Sequence, residues 1–311
     1  MARRLIVGLV TVVAIAGWIA PTVVSGGYPA CFGAAARDPA RACENPSLGL
    51  SVVPTPSEAQ ILPNTLCTPL RAAITLCAFG APLATATGAV ALVGDSHAEH
   101  WRGAVEVIAH ALHWHGLSIT RPSCPFSLGT AKLPEPRRKQ CTQWAGGVLH
   151  WFTQHPDVST VFVSGHLAPV EVVRGQSQLT AQVAGYIELW NALPASVKHI
   201  IVIHDIPYAR NDTLPCVQQA MLKREPAGLV CALPRSAALR EDPEVVAANR
   251  MHSPRVQVAD LTHFFCDSRL CYPVVGGALV YKDAGHLTSV FSTTLGPFLL
   301  DQLDRLMTSW R

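Results

Sequence analysis

The stretch Ala89-Val-Ala-Leu-Val-Gly-Asp-Ser-His97 combines a short apolar run with a glycine, an acid, a serine and a histidine. Its first part, Ala89–Val93, predicts a buried strand, and Glu99–His113 behind it predicts a helix. A strand that leads into a helix begins a βαβ unit, and such units build parallel sheets covered by helices on both faces. Ser96 would then lie at the carboxyl end of a strand, where ligands bind in sheets of this type.

The same alternation of short apolar runs and longer helical patterns continues to the end of the chain. It predicts an α/β fold with a mostly parallel sheet of about five strands between two layers of helices. The segment Pro207–Pro243 shows no clear strand and is interpreted as an insertion or lid over one end of the sheet. The other predicted strands are Leu117–Thr120, Thr160–Ser164, His199–His204 and Val256–Asp260, and the other helices are Thr142–Gln154, Gln178–Leu193, Asp242–Met251 and Ser289–Met307.

A second motif, Asp283-Ala-Gly-His286, precedes the last predicted helix. A serine hydroxyl is a weak nucleophile near neutral pH, so it needs an imidazole to take its proton and a carboxylate to orient that imidazole. One short turn can bring both side chains to the edge where Ser96 is expected. We interpret Ser96 as the nucleophile, His286 as the general base and Asp283 as its partner; the alternative is a turn aspartate beside an exposed loop histidine.

Two neighbours of Ser96 have other expected roles. Asp95 is predicted to cap or brace the turn after the strand rather than to take part in the chemistry. His97 directly adjoins the nucleophile and is badly placed to take its proton, so its expected role is to position substrate. His97 and His100 are three residues apart, but no third ligand at a convincing spacing accompanies them, so no metal site is predicted. No cofactor is predicted either, since the chain has no Gly-rich phosphate loop.

The N-terminus combines basic and apolar residues. Arg3 and Arg4 precede the largely apolar stretch Leu5–Val24, which is about long enough to cross a bilayer. This pattern predicts a signal-anchor helix with a cytoplasmic N-terminus, so that the rest of the chain lies outside the cytoplasm. Cleavage near Ser25 would instead release a secreted protein. The predicted domains are the membrane anchor at 1–26, a Pro/Ala-rich disulfide-containing linker at 27–86 and a catalytic domain at 87–311.

The ten cysteines agree with an extracytoplasmic location. An even number of cysteines outside the cytoplasm favours disulfides, although sequence alone does not fix their connectivity. Pairing between neighbours along the chain would close five short loops: Cys31-Cys43, Cys67-Cys77, Cys124-Cys141, Cys216-Cys231 and Cys266-Cys271.

The charge composition excludes one class of partner. Only 14% of the residues are charged, the formal net charge is +3, and no basic cluster is interleaved with aromatic residues. The sequence therefore predicts no binding to nucleic acid.

Four blocks of sequence follow one another along the chain. They are Ala91-Leu-Val-Gly-Asp-Ser-His-Ala-Glu-His-Trp101, Ser123-Cys-Pro125, Cys141 with Trp144, and Tyr281-Lys-Asp-Ala-Gly-His-Leu-Thr288. In this order they resemble the SGNH (GDSL-like) hydrolase family, in particular the SGNH domain attached to bacterial membrane O-acyltransferases, over roughly residues 87–310. The resemblance implies a three-layer α/β/α sandwich, SGNH or flavodoxin-like, with a site formed by Ser96, His286 and Asp283.

The resemblance also implies an oxyanion hole, a set of N–H donors for the negative charge that develops on the substrate carbonyl oxygen. Members of the family use the amide of the nucleophile, a glycine amide and an asparagine side chain. This chain has Ser164-Gly-His-Leu167 at the end of the third strand, with no asparagine nearby. The amide of Ser96 is one expected donor, and Ser123, Gly165 and His166 are candidates for the others.

These observations predict an extracytoplasmic enzyme that transfers or hydrolyses O-acyl groups, in particular O-acetyl groups, on carbohydrate of the cell envelope. Ser96 would form an acyl-serine, which a sugar hydroxyl or water would resolve. The partners would be an acyl donor, a carbohydrate acceptor, the membrane through the N-terminal helix, and a separate multi-span membrane acyltransferase that supplies acyl groups. The alternative is a catalytically weak glycan-binding or scaffold protein of the same fold, which the unusual Ser164-Gly-His166 block favours.

Overall fold

The computed structural model describes residues 27–61, 69–70 and 74–308. Its strands are β1 (Pro69–Leu70), β2 (Leu76–Gly80), β3 (Gly88–Gly94), β4 (Trp114–Thr120), β5 (Val158–Ser164), β6 (His199–Ile203), β7 (Leu233–Pro234), β8 (Val256–Ala259), β9 (Leu270–Cys271), β10 (Val274–Val275) and β11 (Ala278–Leu279). The main sheet has seven strands in the order β1-β2-β4-β3-β5-β6-β8. Its five neighbouring strands β4-β3-β5-β6-β8 are parallel, whereas β1 and β2 pair antiparallel at one edge.

Helices cover both faces of this sheet. They are α1 (Pro56–Ile61), α2 (Ser96–His100), α3 (Arg102–Ala111), α4 (Arg137–Gln154), α5 (Gln178–Ala192), α6 (Thr213–Lys223), α7 (Ala227–Val230), α8 (Arg235–Ala238), α9 (Pro243–Met251) and α10 (Ser289–Thr308). Side chains alternate along a strand, so in β3 Val90 and Leu92 join the core under α3 and α10. Ala91 and Val93 join the opposite core under α4 and α5. The predicted three-layer sandwich is confirmed.

The order of the parallel strands explains the position of the site. The chain passes from β3 to β4 on one side and then returns to β5 on the other side of β3. A crevice forms outside the carboxyl ends of the strands at such a reversal, and Ser96 follows β3 there. All five predicted parallel strands are present. The predicted helix Glu99–His113 is divided, because α2 ends at His100 and α3 starts at Arg102, and α4 begins at Arg137, earlier than the predicted Thr142.

The described part of the segment predicted as a linker packs on the domain. Strand β2 pairs with β4, and Phe79 within it is buried. Further upstream, the amide of Gly33 donates to the Gly276 carbonyl at 3.0 Å, and the amide of Ala34 donates to the Thr294 hydroxyl at 3.1 Å. These contacts join residues more than two hundred positions apart, which a search for local periodicity does not detect.

Two other segments carry residues toward the site. The predicted insertion Pro207–Pro243 contains three helices, α6, α7 and α8. It also contains the two-residue strand β7, which pairs with β9. After the short disulfide-closed loop Cys266–Cys271, β10 and β11 form an antiparallel hairpin. This hairpin leads directly into the turn that holds Asp283 and His286.

Four of the five predicted disulfides are present. They are Cys31–Cys43, Cys124–Cys141, Cys216–Cys231 and Cys266–Cys271. The fifth prediction involves Cys67, which lies outside the described residues. The apolar stretch Leu5–Val24 lies outside them as well, and among the helices of the described chain none is long and apolar enough to span a bilayer.

Alkylation of the unfolded protein tests the disulfide assignment. Protein exported to an oxidising compartment, denatured without reductant and treated with a thiol reagent, is expected to show almost no modification of its ten cysteines. Reduction before alkylation serves as the control and should expose them all. Several reactive thiols in the unreduced sample would contradict the assignment.

Candidate active site

The turn that presents Ser96 depends on Gly94, the last residue of β3. Gly94 has φ +152°, a backbone conformation that side chains with a Cβ rarely adopt. A Cβ at this position would lie 2.7 Å from the Cβ of Ala98 and would also collide with the carbonyl oxygen of Ser164. Glycine thus lets the chain turn tightly against β5, so that Ser96 becomes the first residue of α2.

The structure brings the three predicted triad side chains together. The Ser96 hydroxyl lies 2.9 Å from Nε2 of His286, and Nδ1 of His286 lies 2.9 Å from each carboxylate oxygen of Asp283. The amide of Gly285 donates to Asp283 Oδ1 at 2.8 Å, which fixes the carboxylate in the turn. Ser96 comes from the end of β3, whereas the other two residues come from the loop before α10.

The electrostatics of the triad fix the proton positions. Partial burial opposes ionisation of Asp283, but hydrogen bonds from His286 and from the Gly285 amide outweigh it and lower the pKa of that carboxyl. An ionised carboxylate can only accept, so Nδ1 of His286 carries the proton it donates to Asp283. In the neutral imidazole Nε2 is then unprotonated and can accept the proton of the Ser96 hydroxyl. This is the arrangement that general-base activation of a serine requires.

Asp95 braces the turn, as predicted. Its side chain is fully buried and accepts from the amides of His97 at 2.8 Å and His166 at 2.9 Å. Burial raises the pKa of Asp95, although the neighbouring His97 and the two amides counteract it. The carboxylate therefore ties the start of α2 to the end of β5, and it engages the backbone donor of His166.

His97 lies beneath the triad rather than on its surface. The side chain is only 2% exposed, and Nδ1 donates to Asp205 Oδ1 at 2.7 Å. Its ring centroid is 5.1 Å from the ring of His286 and 4.7 Å from the ring of His166. Burial opposes protonation of His97, but the Asp205 carboxylate outweighs it, so the pKa of His97 is raised. His97 thus packs against the rings of His166 and His286.

Sequence reasoning missed Asp205 as a partner of His97. Asp205 lies two residues beyond the end of β6, at the same edge of the sheet as Ser96. An acidic residue just after a predicted strand was the signal that could have found it. Its other oxygen, Oδ2, accepts from the hydroxyl of Tyr208 at 2.9 Å, and that hydroxyl lies 2.8 Å from Nδ1 of His166. A continuous polar network thus runs from His97 to His166.

A second layer of acidic groups lies behind this network. Asp242 caps α9 and accepts the amide of Asp205 at 2.9 Å, and burial raises its pKa to about 6. Burial raises the pKa of Glu244 well above its ordinary value, which favours the neutral form of this carboxyl. A Cβ at Gly165 would lie only 2.8 Å from Glu244 Oε1, so a larger residue at this position would require the Glu244 side chain to shift.

The remaining oxyanion-hole candidates lie along the same edge of the sheet. Ser123 is exposed after the end of β4 and has φ +64°, next to the disulfide-bonded Cys124. Gly165 is buried directly after β5, and the amide of His166 is already engaged by Asp95. The amide of Ser96 begins a helix and has no acceptor within it, because the first amides of any helix lack an intrahelical partner.

One buried group of side chains has the composition of a metal site, namely His97, His100 and Asp205. Two ligands of a tetrahedral zinc ion, each about 2.1 Å from the metal, are roughly 3.4 Å apart. His97 Nδ1 and Asp205 Oδ1 are only 2.7 Å apart, which is a hydrogen-bond distance. Burial lowers the pKa of His100 well below its ordinary value. In this arrangement, a hydrogen-bonded pair lies beside a neutral core histidine.

The raised pKa of His97 predicts a pH-dependent contribution to stability. Because the folded-state pKa exceeds the unfolded value, this contribution is fully present below the unfolded pKa of about 6.5 and is lost as the pH rises through the folded pKa. We expect the stability difference between wild type and His97→Gln, measured by urea unfolding, to shrink from pH 5.5 to pH 9. The exposed His150→Gln is the control. A difference that does not change with pH would contradict this account.

The fold and site together define a class: an α/β protein with a Ser-His-Asp constellation at the carboxyl edge of its sheet. A family model described as "SGNH domain (fused to AT3 domains)" matches residues 65–301, and the chain belongs to this family. The match begins upstream of β1, so it includes the two antiparallel strands.

The comparison with solved structures supports the same fold. The structure is similar to one described as the lipopolysaccharide acetyltransferase periplasmic domain of Salmonella ser. Paratyphi A. The TM-score is 0.54 at 12% sequence identity, and the match covers 72% of this chain and 85% of that one. A search of curated proteins found no match. At this level of identity the structural likeness establishes the fold alone.

Proposed function

We propose that this protein is a serine-dependent O-acyltransferase that acts outside the cytoplasm on carbohydrate of the cell envelope. The observation that carries the proposal is the hydrogen-bond chain from Ser96 through His286 to Asp283. The similarity to a lipopolysaccharide acetyltransferase domain supports acetyl as the acyl group and an envelope glycan as the acceptor. When water replaces the acceptor, the same chemistry is that of an esterase.

The first half-reaction forms an acyl-serine. The Ser96 Oγ attacks the carbonyl carbon of the donor while Nε2 of His286 takes its proton, and the Asp283 carboxylate stabilises the resulting imidazolium. The amide of Ser96 stabilises the negative charge on the carbonyl oxygen. His286 then gives its proton to the leaving group, and the acyl group remains bonded to Ser96.

The second half-reaction releases the acyl group to the acceptor. A hydroxyl of the acceptor attacks the acyl carbon, His286 takes the hydroxyl proton, and this proton passes to Ser96 Oγ as the acyl-serine bond breaks. The side chain of Asp283 is 51% exposed and that of His286 is 29% exposed, so the site is open at the edge of the sheet. An open site suits a large acceptor such as a glycan.

The location and partners follow from the same proposal. The disulfides favour an oxidising compartment, and the apolar stretch Leu5–Val24 would anchor the chain in the membrane with its N-terminus in the cytoplasm. A separate multi-span membrane acyltransferase would deliver acyl groups from the cytoplasmic side. The membrane anchor would keep Ser96 close to that partner.

Transfer of acetyl groups from p-nitrophenyl acetate tests the function. The purified chain should release p-nitrophenol and acetylate a methyl glycoside added as the acceptor, and both activities should depend on Ser96. A protein that is folded but shows neither activity would favour the alternative, a glycan-binding or scaffold protein of the SGNH fold.

A further inference from the structure

The hydrogen bonds around Tyr208 determine which nitrogen of His166 carries a proton. The Tyr208 hydroxyl has a single proton, and it lies 2.9 Å from Asp205 Oδ2 and 2.8 Å from His166 Nδ1. Asp205 already accepts from His97 and from the amide of Ile206, as an ionised carboxylate does. Tyr208 therefore donates to Asp205 and must accept from His166. It follows that Nδ1 of His166 is protonated.

This proton position leaves Nε2 of His166 as a hydrogen-bond acceptor. Burial and the nearby His97 charge lower the pKa of His166, so its ring is neutral and carries only the proton on Nδ1. The backbone amide of His166 is committed to Asp95. His166 thus occupies the place where the family resemblance implies an asparagine donor, yet its free polar atom accepts. It does not supply an oxyanion donor.

His166 is nevertheless part of the same cluster as the triad. It lies directly beyond Gly165 at the carboxyl end of β5, next to the strand that leads to Ser96. The ring of His97 contacts the rings of both His166 and His286, with centroid distances of 4.7 and 5.1 Å. The side chain of His166 is half-buried. Its Nδ1 is held by the Tyr208 hydroxyl, which fixes the orientation of the ring within this cluster.

We propose that Nε2 of His166 accepts a hydrogen bond from a second hydroxyl of the acceptor, adjacent to the hydroxyl that attacks the acyl-serine. This inference rests on the proposed function. The attacking hydroxyl has one proton, and this proton goes to His286. The adjacent hydroxyl of the acceptor is therefore the group that can donate a hydrogen bond to Nε2 of His166. The site then selects acceptors that carry adjacent hydroxyls, as carbohydrates do, over simple alcohols.

Two small acceptors test this selectivity. Ethylene glycol has a second hydroxyl that can donate to Nε2, whereas in 2-methoxyethanol a methyl ether replaces that hydroxyl and cannot donate. The full chain, purified in mild detergent, is acetylated with p-nitrophenyl acetate, and the acetylated products are quantified against released acetate. Wild type should transfer to ethylene glycol about sixfold to twentyfold better, a factor of two for its two hydroxyls multiplied by about threefold to tenfold for one ordinary hydrogen bond. In His166→Phe, which lacks the hydrogen bond, the ratio should fall to about two, because ethylene glycol has two hydroxyls and 2-methoxyethanol has one.

A control variant and a second measurement test the role of His166. His150→Phe changes an exposed histidine on α4 and should retain the wild-type ratio. Long-range proton–nitrogen NMR of the histidine rings should show the His166 proton on Nδ1. If Ser96 is acetylated but His166→Phe keeps the wild-type ratio, or if the proton lies on Nε2, the role of His166 is wrong. If Ser96 is not acetylated in wild type, the proposed function itself fails.

Discussion

Replacement of Ser96 by alanine is expected to lower kcat/KM for p-nitrophenyl acetate by at least about 10³-fold, because the nucleophile and the acyl-serine are both lost. His286→Gln should cause a comparable loss, since no other imidazole lies within hydrogen-bond distance of the Ser96 hydroxyl in the described chain. His97, although adjacent in sequence, directs Nδ1 to Asp205. Steady-state kinetics on the three purified proteins measure these effects.

Combination of the variants shows whether the residues act as a unit. Ser96→Ala with His286→Gln should be no slower than either single variant, because the effects of residues in one catalytic unit are strongly non-additive.

Asp283→Asn should retain the fold but lose much of the rate, since the amide does not hold His286 in the required tautomer. Ser236→Ala, at an exposed serine of α8, is the matched control and should behave as wild type. Equal activity in Ser96→Ala and Ser236→Ala would contradict the assigned nucleophile.

Gly94→Ala is expected to prevent stable folding. The substitution places a Cβ at φ +152° and against the backbone carbonyl of Ser164, in the centre of the sheet where neither strand can move apart. We expect a backbone conflict of this kind to lower the free energy of unfolding by more than about 4 kcal/mol. Such a loss is comparable to the total stability of many domains. Circular dichroism and the yield of soluble protein measure the outcome.

Gly146→Ala provides the matched control for this substitution. Gly146 lies inside α4, and a Cβ there would meet nothing within 4 Å. Alanine favours helix over glycine by about 0.5–1 kcal/mol, so this variant should be slightly more stable than wild type. A Gly94→Ala protein that is as stable as Gly146→Ala would show that the turn before Ser96 does not need glycine.

Local sequence signals were sufficient for the five parallel strands and for placing the three candidate triad residues at one edge of the sheet. Ser96, Asp283 and His286 each lie in a short motif beside a strand or hairpin, so their positions follow from the topology once the parallel sheet is recognised. The partners of His97 were harder to predict, because Asp205 and Tyr208 reach it only through the packing of a separate strand and loop. A residue's nearest partner in space is set by long-range contacts, and one sequence does not display these.

The same reason explains why the N-terminal segment was predicted as a linker. Outside α1 and β2, its described residues have no helical or strand period, and contacts to distant positions hold them. Phe32 is buried in the core under α10, and the disulfide Cys31–Cys43 closes the loop around it. Such irregular segments gain their order from tertiary contacts and not from local propensity.

Trapping the covalent intermediate tests the central claim most directly. The full chain is incubated with a fluorophosphonate or with p-nitrophenyl acetate, quenched in acid and digested, and the modified peptide is identified by mass spectrometry beside the Ser96→Ala protein. The account predicts a single modified residue, Ser96, and no modification of the alanine variant. Modification of another residue in wild type, or a Ser96 that stays unmodified in correctly folded protein, would contradict it.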